Sequence, residues 1–196
     1  MKIVVATQNQ HKKDEILAIM GPQYPITTMK EEGFDLQIEE TGTTFEENAM
    51  IKARALKEHT HACVLADDSG LEVDHLDGAP GVYSARFAGE DATDSENNKK
   101  LLNLMDGVEE EKRSARFVCV IAFIDEENRQ YLFRGECEGK IAKELSGENG
   151  FGYDPLFVES SLQKTYAELK EKQKNQLSHR ANALRQIKDF LDGQNR

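Results

Sequence analysis

Short apolar runs alternate along this chain with segments of helical periodicity, and this alternation limits the fold more than any other feature. The runs "KIVVA" at residues 2–6 and "ACVL" at 62–65 indicate buried strands, and residues 45–56 carry apolar side chains at helical spacing. Farther along, "SARFVCVIAF" and "RQYLFRGECEG" flank a polar turn at "EEN", which is typical of a hairpin of two long strands. The sequence therefore predicts an α/β fold with helices around a mixed β-sheet.

Two further signals mark where predicted helices begin. Thr44, followed three residues later by Glu47, matches a capping box. Another helix is expected to be capped near Asp94 or Ser95. No repeat, linker or low-complexity segment interrupts the pattern, so we expect residues 1–196 to form a single domain.

Composition and charge exclude several classes of partner. The chain is 38% hydrophobic and has a formal net charge of −11, without any cluster of lysine or arginine. Because phosphate backbones and anionic membranes recruit clustered positive charge, neither nucleic acid nor a membrane is expected as a partner. No apolar segment approaches the roughly 20 residues that span a bilayer. The N-terminus also turns polar too early for a signal peptide.

The cysteines bear on the cellular compartment. Cys63, Cys119 and Cys137 are far apart and lack CxxC spacing, so we expect buried, reduced thiols rather than zinc ligands. Reduced thiols are typical of the cytoplasm, which is the expected localisation.

The segment "ADDSG" places two adjacent carboxylates at the predicted end of a strand. Side chains alternate in direction along a strand, so Asp67 and Asp68 cannot both point the same way. We expect one of them to act as a cap or in a loop hydrogen bond while the other faces a cleft, because strand ends deliver side chains to the edge of a sheet. A plain turn is the alternative.

The segment "TQNQHK" joins the first predicted strand to the first helix. Backbone N–H groups at a helix N-terminus favour anions, and Thr7, Asn9 and Lys12 add side-chain donors, so this segment suits a phosphate group. A polar turn with Asn9 as a helix cap is the alternative. On the next helix, Asn48 and Lys52 are four residues apart and could reach one ligand together.

Carboxylates near this segment are candidate metal ligands. Mg²⁺ prefers carboxylate oxygens and shares its coordination with substrate phosphates, and Mn²⁺ is an alternative ion for such a site. Glu39, Glu40, Asp67 and Asp68 are therefore candidates for binding a bridging ion. For the two glutamates, a solvated loop is a close alternative.

Two segments in the C-terminal half suggest contacts with a planar base. "GFGYDP" offers Phe151 and Tyr153 between glycines, where a base could stack, although a tight loop with both rings in the core is equally compatible. His179 and Arg180 follow Ser178, a natural N-cap for the last helix. Positive side chains at that end oppose the helix dipole, so a partner anion or carbonyl is expected for them.

Taken together, these motifs resemble the inosine triphosphate pyrophosphatase family, the non-canonical purine nucleoside triphosphate pyrophosphatases (XTP/dITP diphosphatases). The matching segments, in order, are "ATQNQHK", "EETGTTFEENAMIKA", "ADDSGLEVD", "GAPGVYSARFAGEDATD", "ARFVCVIAF", "GFGYDPLF", "TYAEL" and "SHRANAL". They extend from near residue 3 to near residue 190, and their joint order is far more specific than any one of them. Gln8 falls at a position where the family's first motif varies.

The resemblance implies a two-lobed α/β fold with the active-site cleft between the lobes, in a homodimer. It also implies Mg²⁺-dependent hydrolysis of dITP, ITP or XTP to the monophosphate and pyrophosphate. Asp68 would be the catalytic proton acceptor, and with Glu40, or alternatively Glu39, it would bind the metal. The substrate-binding residues that it implies are Thr7, Gln8, Asn9, Gln10, His11, Lys12, Lys52, Ser69, Phe151, Gly152, Tyr153, Asp154, Lys174, His179 and Arg180.

The choice of base has a physical basis. Inosine and xanthosine carry a 6-oxo acceptor where adenosine carries an amino donor, so a positive donor such as Arg180 would favour the oxo bases. Two other functions stay open: a Maf-like pyrophosphatase for pyrimidine or modified nucleotides, and a nucleotide sensor without catalysis. The "SHR" segment favours the purine enzyme, and the presence of Asp68 and Lys12 argues against the sensor.

Overall fold

The computed structural model describes residues 1–194, and its strands and helices alternate as the sequence predicts. The strands are β1 (Ile3–Val5), β2 (Ile26–Thr28), β3 (Cys63–Val73), β4 (Ser114–Ile124), β5 (Gln130–Ile141), β6 (Phe157–Glu159) and β7 (Lys164–Thr165). The α-helices are α1 (Gln10–Met20), α2 (Phe45–Lys57), α3 (Asp94–Leu104), α4 (Glu171–Leu177) and α5 (His179–Gln194). The predicted α/β class is confirmed.

The strands pair in the order β2-β1-β3-β4-β5-β6-β7, as one mixed sheet. β1 is parallel to β2 and β3, whereas β6 is antiparallel to β5 and β7. The register aligns Val5 of β1 with Leu65 of β3. Because these two strands are parallel, Thr7 and Asp67, each two residues farther along, come next to each other where β1 ends. The predicted mixed sheet is confirmed.

The chain groups into two compact units. The first contains Met1–Asp68, Cys119–Gly135 and the chain from His179 onward, and the second contains Ser69–Val118 and Glu136–Ser178. The boundaries therefore fall within β3, β4 and β5 and between α4 and α5. The expectation of a single domain over the whole chain stays a prediction.

The core of the first unit lies between strands and the helices α1 and α5. Ile3 and Leu65 from the strands are fully buried with Ile16 of α1 and Leu184 and Ile187 of α5. The predicted apolar face of the last helix is confirmed, since its members Ala181, Leu184, Ile187 and Leu191 are all buried and Phe190 packs against the same core.

The core of the second unit is aromatic. The ring centroid of Phe117 lies 4.6 Å from that of Phe157 and 5.5 Å from that of Tyr166. Leu71 and Val73 of β3 belong to the same cluster and are fully buried. Aromatic contacts at these distances add to the stabilisation that burial alone provides.

Two predicted boundaries were wrong. β3 does not end at the aspartates but continues to Val73, because the alternate residues Leu71 and Val73 enter the second core and extend the strand. α3 is capped by Thr93 rather than by Asp94 or Ser95: the Thr93 side chain accepts from the Glu96 backbone N–H, and the Glu96 carboxylate accepts from that of Thr93. The capping box predicted at the start of α2 is confirmed.

None of the helices in residues 1–194 is both long enough and apolar enough to cross a membrane.

Gly135 of β5 lies very close to the backbone of α5 in the first unit. A Cβ atom at Gly135 would lie 2.3 Å from both the Ala183 backbone nitrogen and the His179 carbonyl oxygen, and backbone atoms cannot yield as side chains do. We therefore expect Gly135→Ala to lower the free energy of unfolding by about 1–3 kcal/mol or more, measured by urea denaturation.

Gly193 offers a matched control, because a Cβ there meets nothing within 4 Å and the residue lies in α5. Gly193→Ala should be neutral or should stabilise by up to about 1 kcal/mol. A Gly135→Ala protein as stable as wild type would show that this close approach is absent in solution.

Candidate active site

The segment after β1 forms a capped helix start. The Asn9 side chain accepts from the Lys12 backbone N–H at 3.2 Å, and the Thr7 hydroxyl oxygen accepts from the Asn9 N–H at 3.1 Å. Asn9 is therefore a helix cap. The cap leaves Gln8, Gln10 and His11 exposed at the start of α1. A role for the segment as a phosphate cradle stays a prediction that this geometry allows, since a helix N-terminus attracts anions.

A cavity of about 900 Å³ borders this segment within the first unit. Residues Thr7 to Gln10 line one side, and side chains from the stretch between Thr28 and Gln37 line the other. Its lining does not include Asp67 or Asp68.

Asp67 lies at the centre of a buried group of charges. Its Oδ2 atom is 3.0 Å from Lys12 Nζ and 3.1 Å from Arg180 Nη2, and Arg180 also donates to the Glu15 carboxylate. Burial by itself would raise the pKa of Asp67, but Lys12, Arg180 and Lys52 outweigh it and hold the pKa well below its ordinary range. With two cations and two carboxylates, the group of Lys12, Arg180, Asp67 and Glu15 carries no net charge.

Asp68 has different partners from its neighbour. Lys52 Nζ lies 3.3 Å from Asp68 Oδ1 and 2.8 Å from Glu40 Oε1, so one ammonium serves two carboxylates. The other oxygen, Oδ2, is buried and has no hydrogen-bond partner within residues 1–194. Burial raises the pKa of Asp68, Glu40 and Asp67 add to this, and Lys52 and Lys12 only partly oppose it.

The two adjacent aspartates thus have different partners, because successive side chains of a strand point to opposite faces of the sheet. Asp67 is paired with two cations, whereas Asp68 shares one cation with a second carboxylate. For Asp67, the structure shows an ion-pair role in place of the cap or loop hydrogen bond that was expected for one of the two. Each aspartate keeps one buried oxygen without a hydrogen-bond partner within residues 1–194, so the excess negative charge around Asp68 is what distinguishes it.

The group of Asp68, Glu40 and Lys52 fits a divalent cation. Two carboxylates against one ammonium leave one net negative charge, and Asp68 Oδ2 is an orphaned buried acceptor. Within residues 1–194, no cluster of three or more His, Cys, Asp or Glu side chains could hold a metal alone. An ion here would need further oxygens from water or phosphate, which is the usual habit of Mg²⁺. Of the two glutamates, Glu40 contacts Lys52, while Glu39 is exposed.

The residues expected to contact the base fall partly in the second unit. There, Lys174 Nζ lies 2.6 Å from Asp154 Oδ2 and 4.7 Å from the centroid of the partly exposed Phe151 ring. Tyr153 is 4% exposed, and its hydroxyl donates to the Ser84 carbonyl oxygen. Of the two alternatives for this loop, a ring in the core holds for Tyr153, whereas the Phe151 ring stays partly exposed. Ser69, in β3, is partly exposed.

His179 and Arg180 begin α5 in the first unit, and both are buried. The expectation of a partner anion for Arg180 is confirmed, since Glu15 and Asp67 are those partners. Contact of Arg180 with a base stays a prediction. The geometry shows that its guanidinium is already engaged with two carboxylates.

Known proteins resemble this chain over nearly its whole length. The family model described as "Ham1 family" matches residues 3–190. A Thermoanaerobacter pseudethanolicus protein named dITP/XTP pyrophosphatase is 52% identical over 97% of this chain and 96% of its own length. A Bacillus subtilis protein of the same name is 46% identical over 96% of each chain. The solved Ham1 protein of Staphylococcus aureus superposes with a TM-score of 0.90 at 44% identity, covering 99% of this chain and 100% of its own.

The chain belongs to the Ham1 family. The resemblance drawn from its motifs is thereby confirmed, since the curated relatives carry the name of the XTP/dITP diphosphatases. A structure described as a nucleoside-triphosphatase / dITP/XTP pyrophosphatase from Mycobacterium abscessus is more distant, with a TM-score of 0.78 and 38% identity over 95% of this chain and 98% of its own.

Some residues of this Ham1-family site were not found from the sequence. Glu15 is buried against Arg180, which lies 165 positions away along the chain. Asp94 accepts from the Gly152 N–H, and Asn98 donates to the Gly152 carbonyl oxygen, so α3 holds the predicted base loop. The only available signal was the spacing of Asp94 and Asn98, four residues apart on one helix face.

Loss of Lys52 should change the titration of Asp68. Because Lys52 lowers the pKa of Asp68, Lys52→Met should raise it further above the ordinary aspartate range. Carbon-13 NMR of the Asp68 side-chain carboxyl, in metal-free protein, measures this directly. Lys140→Met is the control, because Lys140 pairs with Glu110 on the exposed surface. An Asp68 pKa that stays constant or falls in Lys52→Met would contradict the geometry.

Loss of Arg180 should destabilise the fold most at neutral pH. Arg180→Met leaves Glu15 and Asp67 buried with too little positive charge, and we expect a loss of about 3–5 kcal/mol at neutral pH. The pKa of Asp67 is lower in the folded than in the unfolded state. Ionised Asp67 therefore stabilises the fold at pH values above its unfolded pKa, and this contribution is lost as the pH falls toward its folded pKa.

The penalty for Arg180→Met should therefore shrink on acidification, as measured by urea unfolding at several pH values. Arg116→Met provides the matched control: Arg116 contacts Glu72, Asp74 and Glu138, but its side chain is 27% exposed. Its loss should cost about 1 kcal/mol or less. Equal penalties for both variants would argue against a buried charge group around Asp67.

Proposed function

We propose that this Ham1-family protein hydrolyses dITP, ITP and XTP to the nucleoside monophosphate and pyrophosphate, and so clears deaminated purine nucleotides. The names of the relatives support the substrate class. One observation carries the chemistry: Asp68 presents a buried oxygen without a hydrogen-bond partner beside Lys52 and Glu40. Such an oxygen can accept the proton of an attacking water.

In the proposed mechanism, Asp68 accepts a proton from water as the water oxygen bonds to phosphorus and the anhydride P–O bond breaks. The raised pKa of Asp68 suits this role, because a more basic carboxylate accepts a proton more readily once it is ionised. Hydrolysis of a phosphoanhydride depends mostly on positioning and charge neutralisation. Lys52 and Lys12 are the cations that would supply positive charge to the phosphate oxygens.

We propose Mg²⁺ as the cofactor, with Mn²⁺ as a substitute, held by Asp68 and Glu40. When bound, the ion would offset negative charge on the phosphate oxygens as pyrophosphate leaves. Enzymes of this family are generally dependent on a divalent metal, and the net negative charge of the Asp68 group supports such a site. Glu39 is the weaker candidate because it is exposed.

The remaining proposed contacts follow the two units. In the first, the segment from Thr7 to Lys12 binds the triphosphate, supported by its position at the start of α1. In the second, Ser69 contacts the substrate, and Phe151, Asp154 and Lys174 contact the base, supported by the partly exposed ring and its adjacent ammonium. Gly152 and Tyr153 contribute to the base contact through their backbone, and His179 and Arg180 complete the proposed set.

The assembly and the compartment are proposals as well. We propose a homodimer, in which the segment around Tyr83, whose side chain is 54% exposed, contributes to the subunit contact. We propose a cytoplasmic location without nucleic-acid or membrane partners. The dispersed spacing of the three cysteines, all of which are buried, supports this compartment, because it does not suit a disulfide framework.

Pyrophosphate release with Mg²⁺ tests the function. Wild type should turn over dITP and XTP far faster than dATP, dGTP or dTTP, and Asp68→Asn should lose activity by several orders of magnitude because its amide cannot accept the proton. Asp189→Asn is a control on an exposed carboxylate of the same unit, outside the cavity beside Thr7 to Gln10, and should retain activity.

Other outcomes would redirect the assignment. A preference for dTTP would indicate a Maf-like pyrophosphatase. Tight binding of dITP without any release would indicate a nucleotide sensor. Full activity of Asp68→Asn would refute the role given to Asp68.

A further inference from the structure

The loop that carries Glu40 is pinned to α2 by one buried amide. Asn48 is fully buried, and its Oδ1 accepts from the Gly42 N–H at 2.8 Å. Glu40 lies two residues before Gly42, and its carboxylate contacts Lys52, which is one helical turn beyond Asn48. The backbone and the side chain of this loop are thus held at two successive positions of one helix face.

At Gly42 the backbone of this loop lies so close to α2 that no room remains for a side chain. A Cβ at Gly42 would lie 2.6 Å from Asn48 Oδ1, 2.7 Å from the Glu47 Cβ and 3.0 Å from the Asn48 backbone nitrogen. Only glycine allows this approach, because two of those three atoms cannot rotate away. The short distance and the hydrogen bond therefore depend on each other.

The orientation of the Asn48 amide follows from this contact. A backbone N–H needs an acceptor, so the amide oxygen faces Gly42 and the Nδ2 group faces the other way. Nδ2 is buried and has no hydrogen-bond partner within residues 1–194. Among the described residues, 1–194, the bond to Gly42 is thus the one hydrogen bond of this side chain, and removing its acceptor acts on the loop.

Asn97 of α3 shows how a buried asparagine looks when it has a structural role alone. Its Oδ1 accepts from the Ala88 N–H at 2.8 Å, and its Nδ2 donates to the Ala85 carbonyl oxygen at 3.0 Å. Both ends of that amide are satisfied, by backbone groups of the second unit. Asn97 is therefore a matched control for the loss of a buried asparagine.

We propose that Asn48 is a positioning residue that fixes Glu40, through Gly42, as a ligand of the divalent ion. The inference rests on the metal site of the proposed function. Residues that orient a metal ligand from outside the coordination shell contribute strongly to affinity, and their loss weakens metal binding by about 10- to 100-fold. Neither Asn48 nor Gly42 needs to touch the ion for this effect.

The test measures Mn²⁺ binding to nucleotide-free protein. Water-proton relaxation serves as the readout, so no turnover is required. Asn48→Leu removes the acceptor, and Gly42→Ala displaces the loop while Asn48 stays intact. Both should raise the Kd for Mn²⁺ by about 10- to 100-fold. Asn48→Asp keeps an acceptor for Gly42 and should bind Mn²⁺ at least as tightly as wild type. Asn97→Leu should bind as wild type does.

The outcomes separate this inference from the function on which it rests. Folded Asn48→Leu or Gly42→Ala protein with wild-type Mn²⁺ affinity would overturn the positioning role alone, and so would an Asn97→Leu protein that is weakened as much as Asn48→Leu. A wild-type protein that binds no Mn²⁺ would overturn the metal site as well, while pyrophosphate release from dITP would still stand as a separate result. Circular dichroism identifies variants that fail to fold, for which Asn48→Asp and Gly42→Ala serve in place of Asn48→Leu.

Discussion

The buried ion pair between Asp67 and Arg180 is the contact on which the first unit depends. It joins β3 to the start of α5, and Arg180 extends the contact to Glu15 in the middle of α1. Three elements far apart in sequence are thus fastened by charges that cannot reach solvent. Burying an isolated charge is very costly, so each member requires the others to be in place.

The neutral group around Asp67 contrasts in charge with the group around its neighbour Asp68. Lys12 is bound to Asp67 in the structure, and a phosphate that drew Lys12 away would leave Arg180 as the one cation of this group, facing both Asp67 and Glu15. Recruitment of Lys12 by a phosphate would therefore leave the group with one excess negative charge. Asp68, one residue later, belongs to a group with excess negative charge. The pKa of Asp67 is consequently lowered and that of Asp68 is raised. The difference arises because successive side chains of a strand point to opposite sides and so meet different partners.

Local patterns allowed much of the fold to be predicted. The capping box at Thr44, the hairpin around residues 126–128 and the apolar face of α5 each depend on residues close together in sequence, and all three are confirmed. The sequence left alternatives open, or gave no signal, where a distant residue decided the outcome. Tyr153 is drawn into the core by the Ser84 carbonyl, 69 positions away, and Glu15 gave no signal because its partner Arg180 is 165 positions away. The family resemblance supplied Asp68 and Glu40 as site residues, but not Asn48.

Two hydrogen bonds from α3 to Gly152 couple this helix to the loop that is predicted to contact the base. Asp94 and Asn98 grip the two sides of one residue, its N–H and its carbonyl, from successive turns of the helix. Asp94 is also the first residue of α3, where helices fray most readily. The loop is therefore held in part by that first turn, which the Thr93–Glu96 cap stabilises, beside contacts of its own such as that from the Phe151 N–H to the Asp154 carboxylate. Unwinding of the turn would release the Gly152 backbone, so helix fraying in the second unit is coupled to the shape of this loop.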